Sequence, residues 1–177
     1  MKKNLVLLGM MAVGKTTLGK IVAKKQKLEF VDTDSCIEKK NSMTIDKIFK
    51  TKGEKFFRME EEKEVLKTLQ KKNCVISLGG GAFMNKTLRD NILKDTISIW
   101  LDADIRTLGS RVKWNRNRPL LNEKNYLEKL RKLYAERKST YKLADHKIEC
   151  DKLSKEIITQ KINNDLLKLK SIHFKWI

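Results

Sequence analysis

The chain has 177 residues, enough for one domain with a full hydrophobic core. It carries a net charge of +18 from 40 basic and 22 acidic residues, yet only 7% of its residues are aromatic. That scarcity leaves few stacking platforms for single strands, and the lysines alternate with apolar residues at helical spacing, as over Lys161 to Lys170. A specific nucleic-acid partner is therefore not expected, although nonspecific attraction to polyanions at low salt is.

Leu5 to Leu8 is an apolar run that predicts a buried strand, and Leu18 to Ala23 predicts an amphipathic helix. Between them stands Gly9-Met10-Met11-Ala12-Val13-Gly14-Lys15-Thr16, which matches G-x-x-x-x-G-K-[ST]. Glycines allow a tight loop whose N–H groups can meet a polyphosphate, and the following helix start adds positive potential there. Lys15 is suited to the β- and γ-phosphates and the Thr16 hydroxyl to Mg²⁺.

A second short strand is expected at Leu28 to Val31, ending at Asp32-Thr33-Asp34, where ligands bind in open α/β sheets. Ser35 to Lys40 and Ile45 to Phe49 predict two short helices, Gly53 a break, and Glu54 to Gln70 a long helix. Arg58 and Glu61 share one face of that helix, and an exposed salt bridge would explain them equally well at this stage. Cys74 to Leu78 predicts a central strand running into Gly79-Gly80-Gly81, where a ligand can approach the backbone closely. This strand lacks the Walker B aspartate, so metal contact falls to Thr16, phosphates, water and Asp32.

Further strands are expected at Ile97 to Leu101 and His146 to Cys150, and helices after Asp102-Ala103-Asp104, at Tyr126 to Tyr141 and at Ser154 to Leu169. The basic stretch Arg111 to Pro119 suits a lid that brings arginines over a transferred phosphate, with the lid spanning about residues 113–122. Residues 171–177, with Phe174 and Trp176, have no assigned role. Alternating strands and helices predict an α/β fold, a parallel sheet with helices on both faces, within a single domain over residues 1–170. Three scattered cysteines and the lack of a membrane-spanning apolar run lead to the expectation of a cytoplasmic protein.

In order and spacing, several segments together resemble the shikimate kinase family. They are Gly9 to Thr17, Val31 to Asp34, Gly53-Glu54 with Phe57-Arg58 and Glu61, Leu78 to Ala82, Arg118-Pro119-Leu120-Leu121, and Glu136-Arg137 followed by Tyr141. The resemblance implies a nucleoside-monophosphate-kinase-like three-layer sandwich around a five-stranded parallel sheet, with ATP-dependent phosphorylation of the shikimate 3-hydroxyl in aromatic amino-acid biosynthesis. It implies that Gly9, Met11, Ala12, Val13, Gly14, Lys15, Thr16, Thr17, Arg111 and Arg118 bind ATP. Arg58, Arg137, Asp34 and the glycines 79–81 would bind shikimate, with Glu61 orienting Arg58. Lys15, Asp34 and Arg118 would carry the chemistry, and Thr16 with Asp32, through water, would hold Mg²⁺. A monomer is expected. Other small-molecule kinases, such as a gluconate kinase, and a nucleic-acid-binding P-loop ATPase are the alternative readings. Two departures from the family pattern stand out: Ala12 replaces its usual glycine, and the loop near Asp151 to Ser154 lacks its frequent proline.

Overall fold

A computed structural model describes residues 4–113 and 125–173 of the chain. The strands are β1 (Asn4–Leu8), β2 (Glu29–Asp32), β3 (Cys74–Ser77), β4 (Thr96–Asp102) and β5 (His146–Glu149). The helices are α1 (Lys15–Gln26), α2 (Thr33–Asn41), α3 (Ile45–Leu69), α4 (Lys86–Asp95), α5 (Ile105–Lys113), α6 (Tyr126–Tyr141) and α7 (Lys155–His173). The five strands form one parallel sheet in the order β2-β3-β1-β4-β5.

The central strand, β1, is buried along its whole length, as its unbroken apolar run requires in a sheet covered on both faces. Leu5 pairs with Val75 on one side and Ile97 on the other. From β1 the chain crosses to β2 on one side of β3, whereas from β3 it crosses to β4 in the opposite direction. With right-handed crossovers, these opposite directions place α1 on one face and α4 on the other. They also open a crevice between the carboxyl ends of β1 and β3, the place where such sheets bind ligands. On the first face α1 packs with α7, and the Gln26 amide donates to Asn163 Oδ1 at 3.1 Å.

Caps explain several boundaries. Lys27 adopts φ 54°, and the Leu28 N–H returns to the Ala23 carbonyl at 2.9 Å, so β2 starts at Glu29, one residue later than the apolar run suggests. Asp32 closes β2 and caps α2, its Oδ1 accepting from the Ser35 N–H at 3.1 Å. Helix α2 thus begins at Thr33, and Asp34 lies in its first turn rather than in a loop. The 3₁₀ turn Ala82–Met84 and helix α4 are additions to the sequence reading. Asn85 caps α4 through Leu88, and Leu88 and Ile92 are its buried stripe.

Gly53 bends α3 where a break is expected, with φ 81° and ψ 168°. Ile48 before the bend and Phe57 after it join Ile37 of α2 in a small core, separate from the main core around the sheet. This bend aims the helical turn carrying Arg58 and Glu61 at the crevice. A Cβ at Gly53 would touch nothing within 4 Å, so its constraint is the backbone conformation alone. Gly53→Ala is therefore expected to cost about 1–3 kcal/mol, read as a lower melting temperature. An unchanged melting curve would mean that the bend does not need glycine.

Candidate active site

The loop after β1 has the dihedrals its sequence calls for: Gly9 at φ 138° and Gly14 at φ 109°. Gly9 also has no room for a side chain, because a Cβ there would overlap the Leu101 carbonyl oxygen. Ala12 takes φ 62°, the left-handed region, at a strain on the order of 1 kcal/mol. Gly14 caps α1 without a side-chain bond, and the first turn holds no acidic residue. The opening N–H groups of α1 are thus left to a bound anion.

Lys15 Nζ donates to the Gly9 and Met10 carbonyls, 3.0 Å from each, and so folds across the loop it would serve. Met11 is partly buried and Val13 buried, which seats the loop on the core, while Thr17 is exposed in the first turn of α1. The Thr16 hydroxyl donates to Asp32 Oδ2 at 2.7 Å, joining the loop to the end of β2. The Arg111 guanidinium, on α5, donates to the Val13 carbonyl at 3.2 Å and so reaches the loop from β4's side. Arg118 and most of the expected lid lie outside the described residues, as do Phe174 and Trp176.

The run after β3 packs against the phosphate loop. A Cβ on Gly80 would stand 3.7 Å from the Gly9 carbonyl oxygen and 3.9 Å from the Met11 nitrogen. Around it the predicted substrate residues converge from three helices, α2, α3 and α6. A Cβ on Gly79 would lie 2.5 Å from Asp34 Oδ1 and 2.7 Å from Glu61 Oε1, and one on Gly81 would lie 2.5 Å from Arg58 Nη1. Arg137, on α6, donates to the Gly80 carbonyl at 3.0 Å.

The Arg58–Glu61 pair is not the exposed salt bridge that the spacing also allowed. Glu61 is only 4% exposed through its side chain, and its Oε2 accepts from Arg58 Nη1 at 2.8 Å. Burial raises the Glu61 pKa, with Arg58 and Arg137 opposing the rise. Burial lowers the Arg58 pKa, but Glu61 and Glu54 outweigh it and leave the guanidinium above its ordinary value. Glu54 Oε1 accepts from the Nε and Nη2 groups of Arg58, which fixes the fork from its other side. The buried charge is therefore paired and directed, as a binding group must be.

Three contributors went unassigned in the sequence. The Thr33 hydroxyl donates to the Ser77 carbonyl at 3.3 Å and accepts from the Gly79 N–H at 3.1 Å, tying the glycine run to α2. Tyr141 donates to the same Gly80 carbonyl as Arg137, and Asn85 lines the cavity. The i, i+4 spacing of Arg137 and Tyr141 is the signal that could have exposed the second residue, because it places both on one helix face.

Beside the glycine run lies a cavity of about 430 Å³, lined by Arg58, Glu61, Gly81, Asn85, Glu136 and Arg137 among others. It has the size of a small-molecule site. A P-loop at the carboxyl edge of a parallel sheet, facing a cavity with two arginines and a carboxylate, defines a small-molecule kinase with an anionic acceptor.

Comparison with known proteins narrows the class. The family model described as Shikimate kinase matches residues 11–167. A shikimate kinase of Sulfurihydrogenibium sp. is 39% identical over 95% of this chain and 98% of its own length. The solved shikimate kinase of Acinetobacter baumannii, in complex with shikimate, superimposes with a TM-score of 0.90 at 33% identity, over 95% of this chain and 94% of that one. The chain belongs to the shikimate kinase family. A gluconokinase from Sinorhizobium meliloti, at 12% identity and a TM-score of 0.65, over 99% of this chain and 98% of that one, shares the fold alone.

Gly79 gives the sharpest test of this geometry. An alanine methyl there would displace both the Asp34 and the Glu61 carboxylates. Gly79→Ala is expected to lower turnover on the order of 10²-fold while leaving ADP affinity near wild type. Normal turnover would show that neither carboxylate position matters.

Proposed function

We propose that this member of the family transfers the γ-phosphoryl group of ATP to the 3-hydroxyl of shikimate, giving shikimate 3-phosphate and ADP. The observation that carries the reading is the convergence of Arg58, Arg137 and Asp34 on the glycine run beside the phosphate loop. Shikimate is a ring acid with three hydroxyls, and it needs a cationic clamp, a hydroxyl acceptor and a flat wall.

In this reading Arg58 and Arg137 bind the carboxylate with charge-assisted, directional bonds. Glu61 and Glu54 hold the Arg58 fork in place, supported by their bonds to it. Gly79, Gly80 and Gly81 let the ring approach the backbone. Asp34 orients the 3-hydroxyl and accepts its proton as the oxygen attacks the γ-phosphorus, while the bond to the ADP oxygen breaks. The α1 N–H groups and Lys15 stabilise the charge spreading over the transferring group, and lid residue Arg118 joins them. The segment 9–17 and Arg111 bind the nucleotide.

Thr16 and Asp32 fit Mg²⁺. A hydroxyl and a carboxylate stand together beside the anion site, and hard oxygen ligands are what this ion takes. Among the described residues no cluster of three or more His, Cys, Asp or Glu could hold a metal on protein ligands alone. That agrees with an ion that completes its shell with phosphate and water, Asp32 acting through water. The ion would neutralise charge on the β- and γ-phosphates. Action as a monomer is part of this proposal. The cysteines Cys36, Cys74 and Cys150 are all free, which supports a reducing, cytoplasmic setting. Among the described residues no helix is long and apolar enough to cross a membrane.

Competitive turnover with shikimate, gluconate and oligonucleotides tests the function directly, with phosphorylation of shikimate alone as the expected result. Arg58→Lys and Arg137→Lys keep the charge but lose the planar fork. Each should raise the shikimate KM on the order of tenfold or more, with the ATP KM changed much less. Wild-type shikimate KM in both variants would remove the clamp. Lys15→Met should lose most turnover with an intact circular dichroism spectrum, and Asp34→Asn should lose on the order of 10²-fold. A fully active Lys15→Met enzyme would sink the phosphate-loop assignment, and near-normal turnover by Asp34→Asn would move the proton to another group.

A further inference from the structure

Helix α6 carries Arg137 to the site, yet few of its side chains hold it. Of its 16 residues only Leu130 and Tyr141 are buried, and Leu127 is 38% exposed. Leu130, Leu133 and Tyr134 pack it on the main core, and besides the bond from Arg137 to the Gly80 carbonyl two phenols fasten it. Tyr141, its last residue, donates to the Gly80 carbonyl. Tyr134 donates to Asp102 Oδ1 at 2.9 Å. Seven residues of helix turn through nearly two whole turns, so the two phenols lie on one line about 10 Å apart. Arg137 lies between them on the same face.

The acceptor of the Tyr134 bond is itself held firmly. Asp102 ends β4 and is only 8% exposed. Its Oδ2 pairs with Lys147 of β5 at 3.0 Å, and Lys147 also pairs with Glu149 at 2.9 Å and sits 5.0 Å above the Trp100 ring centre. Next to Asp102 in β4 is Leu101, whose carbonyl closes against Gly9 of the phosphate loop. The middle of α6 is thus referred to the strand beneath the nucleotide site, and its last residue to the glycine run beneath the acceptor site.

We propose that the Tyr134–Asp102 hydrogen bond is a latch that sets where α6 lies on the sheet, making Tyr134 and Asp102 positioning residues for the Arg137 arm of the clamp. The inference rests on the shikimate reading above. A helix that loses one of its fixed points can shift about the others, and an arginine fork tolerates little displacement before its paired bonds are lost. With the latch gone, Leu130, Leu133 and Tyr141 would still hold the helix, but its middle would lose its polar tie to β4 and Arg137 would sample positions off the carboxylate. Burial and the Asp102 carboxylate push the Tyr134 pKa up to about 12, so the phenol keeps its proton and the latch stays closed at neutral pH. Neither residue lines the cavity, and Tyr134 belongs to α6 itself, so a loss of shikimate binding on its substitution comes through that helix.

Tyr134→Phe keeps the ring and removes the hydroxyl. The expected result is a rise in shikimate KM on the order of tenfold, with the ATP KM and kcat within about twofold. Asp102→Ala should raise the shikimate KM similarly, and the double variant no further than either single one, because both remove the same bond. Asp102→Asn, whose amide oxygen still accepts from the phenol, should have a smaller effect than Asp102→Ala. A purely structural role predicts instead a lower melting temperature with both KM values unchanged, or an equal rise in both. Either result, or additive effects in the double variant, would overturn the latch. If the wild-type protein does not phosphorylate shikimate, the proposed function falls separately. The latch is then read by amide exchange over residues 134–141, where Tyr134→Phe should speed exchange and unchanged exchange would refute it.

Discussion

The site depends on having no side chain at Gly79 and Gly81. Those two positions are occupied, at the distance a Cβ would need, by the carboxylates of Asp34 and Glu61 and by the guanidinium of Arg58. These groups come from two helices, Asp34 from α2 and Arg58 with Glu61 from one turn of α3, and each would have to retreat from even a methyl group. The glycines are therefore less a flexible turn than a fitted surface. The backbone takes the place of a side-chain layer, and charged groups pack where apolar ones normally would. The Thr33 hydroxyl, bonded to both ends of this turn, keeps that surface in register with β2.

Close packing of charge requires an answer to desolvation. Glu61 is almost wholly buried and would be costly alone. Its cost is offset by Arg58, directed onto it by Glu54, and in the proposed function the pair presents an already aimed cation to the acceptor carboxylate. Such pairs contribute little to net stability compared with a hydrophobic pair of the same shape. Their use here is orientation. The net charge of +18 belongs largely to another part of the molecule, since lysines such as Lys24, Lys25 and Lys39 close helix ends and complement their dipoles on the surface.

The sheet order makes this convergence possible. Because β3 lies between β2 and β1, the ends of all three strands meet at one edge, with Asp32 and Asp34, the glycine run and the phosphate loop side by side.

Much of this was legible in the sequence because it is local. The phosphate loop depends on consecutive dihedrals, and Gly9, Gly14, Lys15 and Thr16 declare it without reference to distant residues. The strands announce themselves by apolar runs and Gly53 by its break in a helical pattern. Helix α4 was missed, though Asn85 capping Leu88 and the Leu88–Ile92 spacing encode it, because a short buried stripe of two residues is a faint periodic signal. The spacing of Arg58 and Glu61 was equally consistent with a surface ion pair and a buried one, and only the packing of α3 over Gly79 separated the two. Likewise nothing in the sequence joins Tyr134 to Asp102 or Tyr141 to Gly80. Those bonds span 32 and 61 residues, and they exist because the sheet order and the path of α6 bring the partners together. Local patterns thus determined the nucleotide end of the protein, whereas the acceptor end is a product of tertiary structure, because its groups meet only after distant segments have been packed.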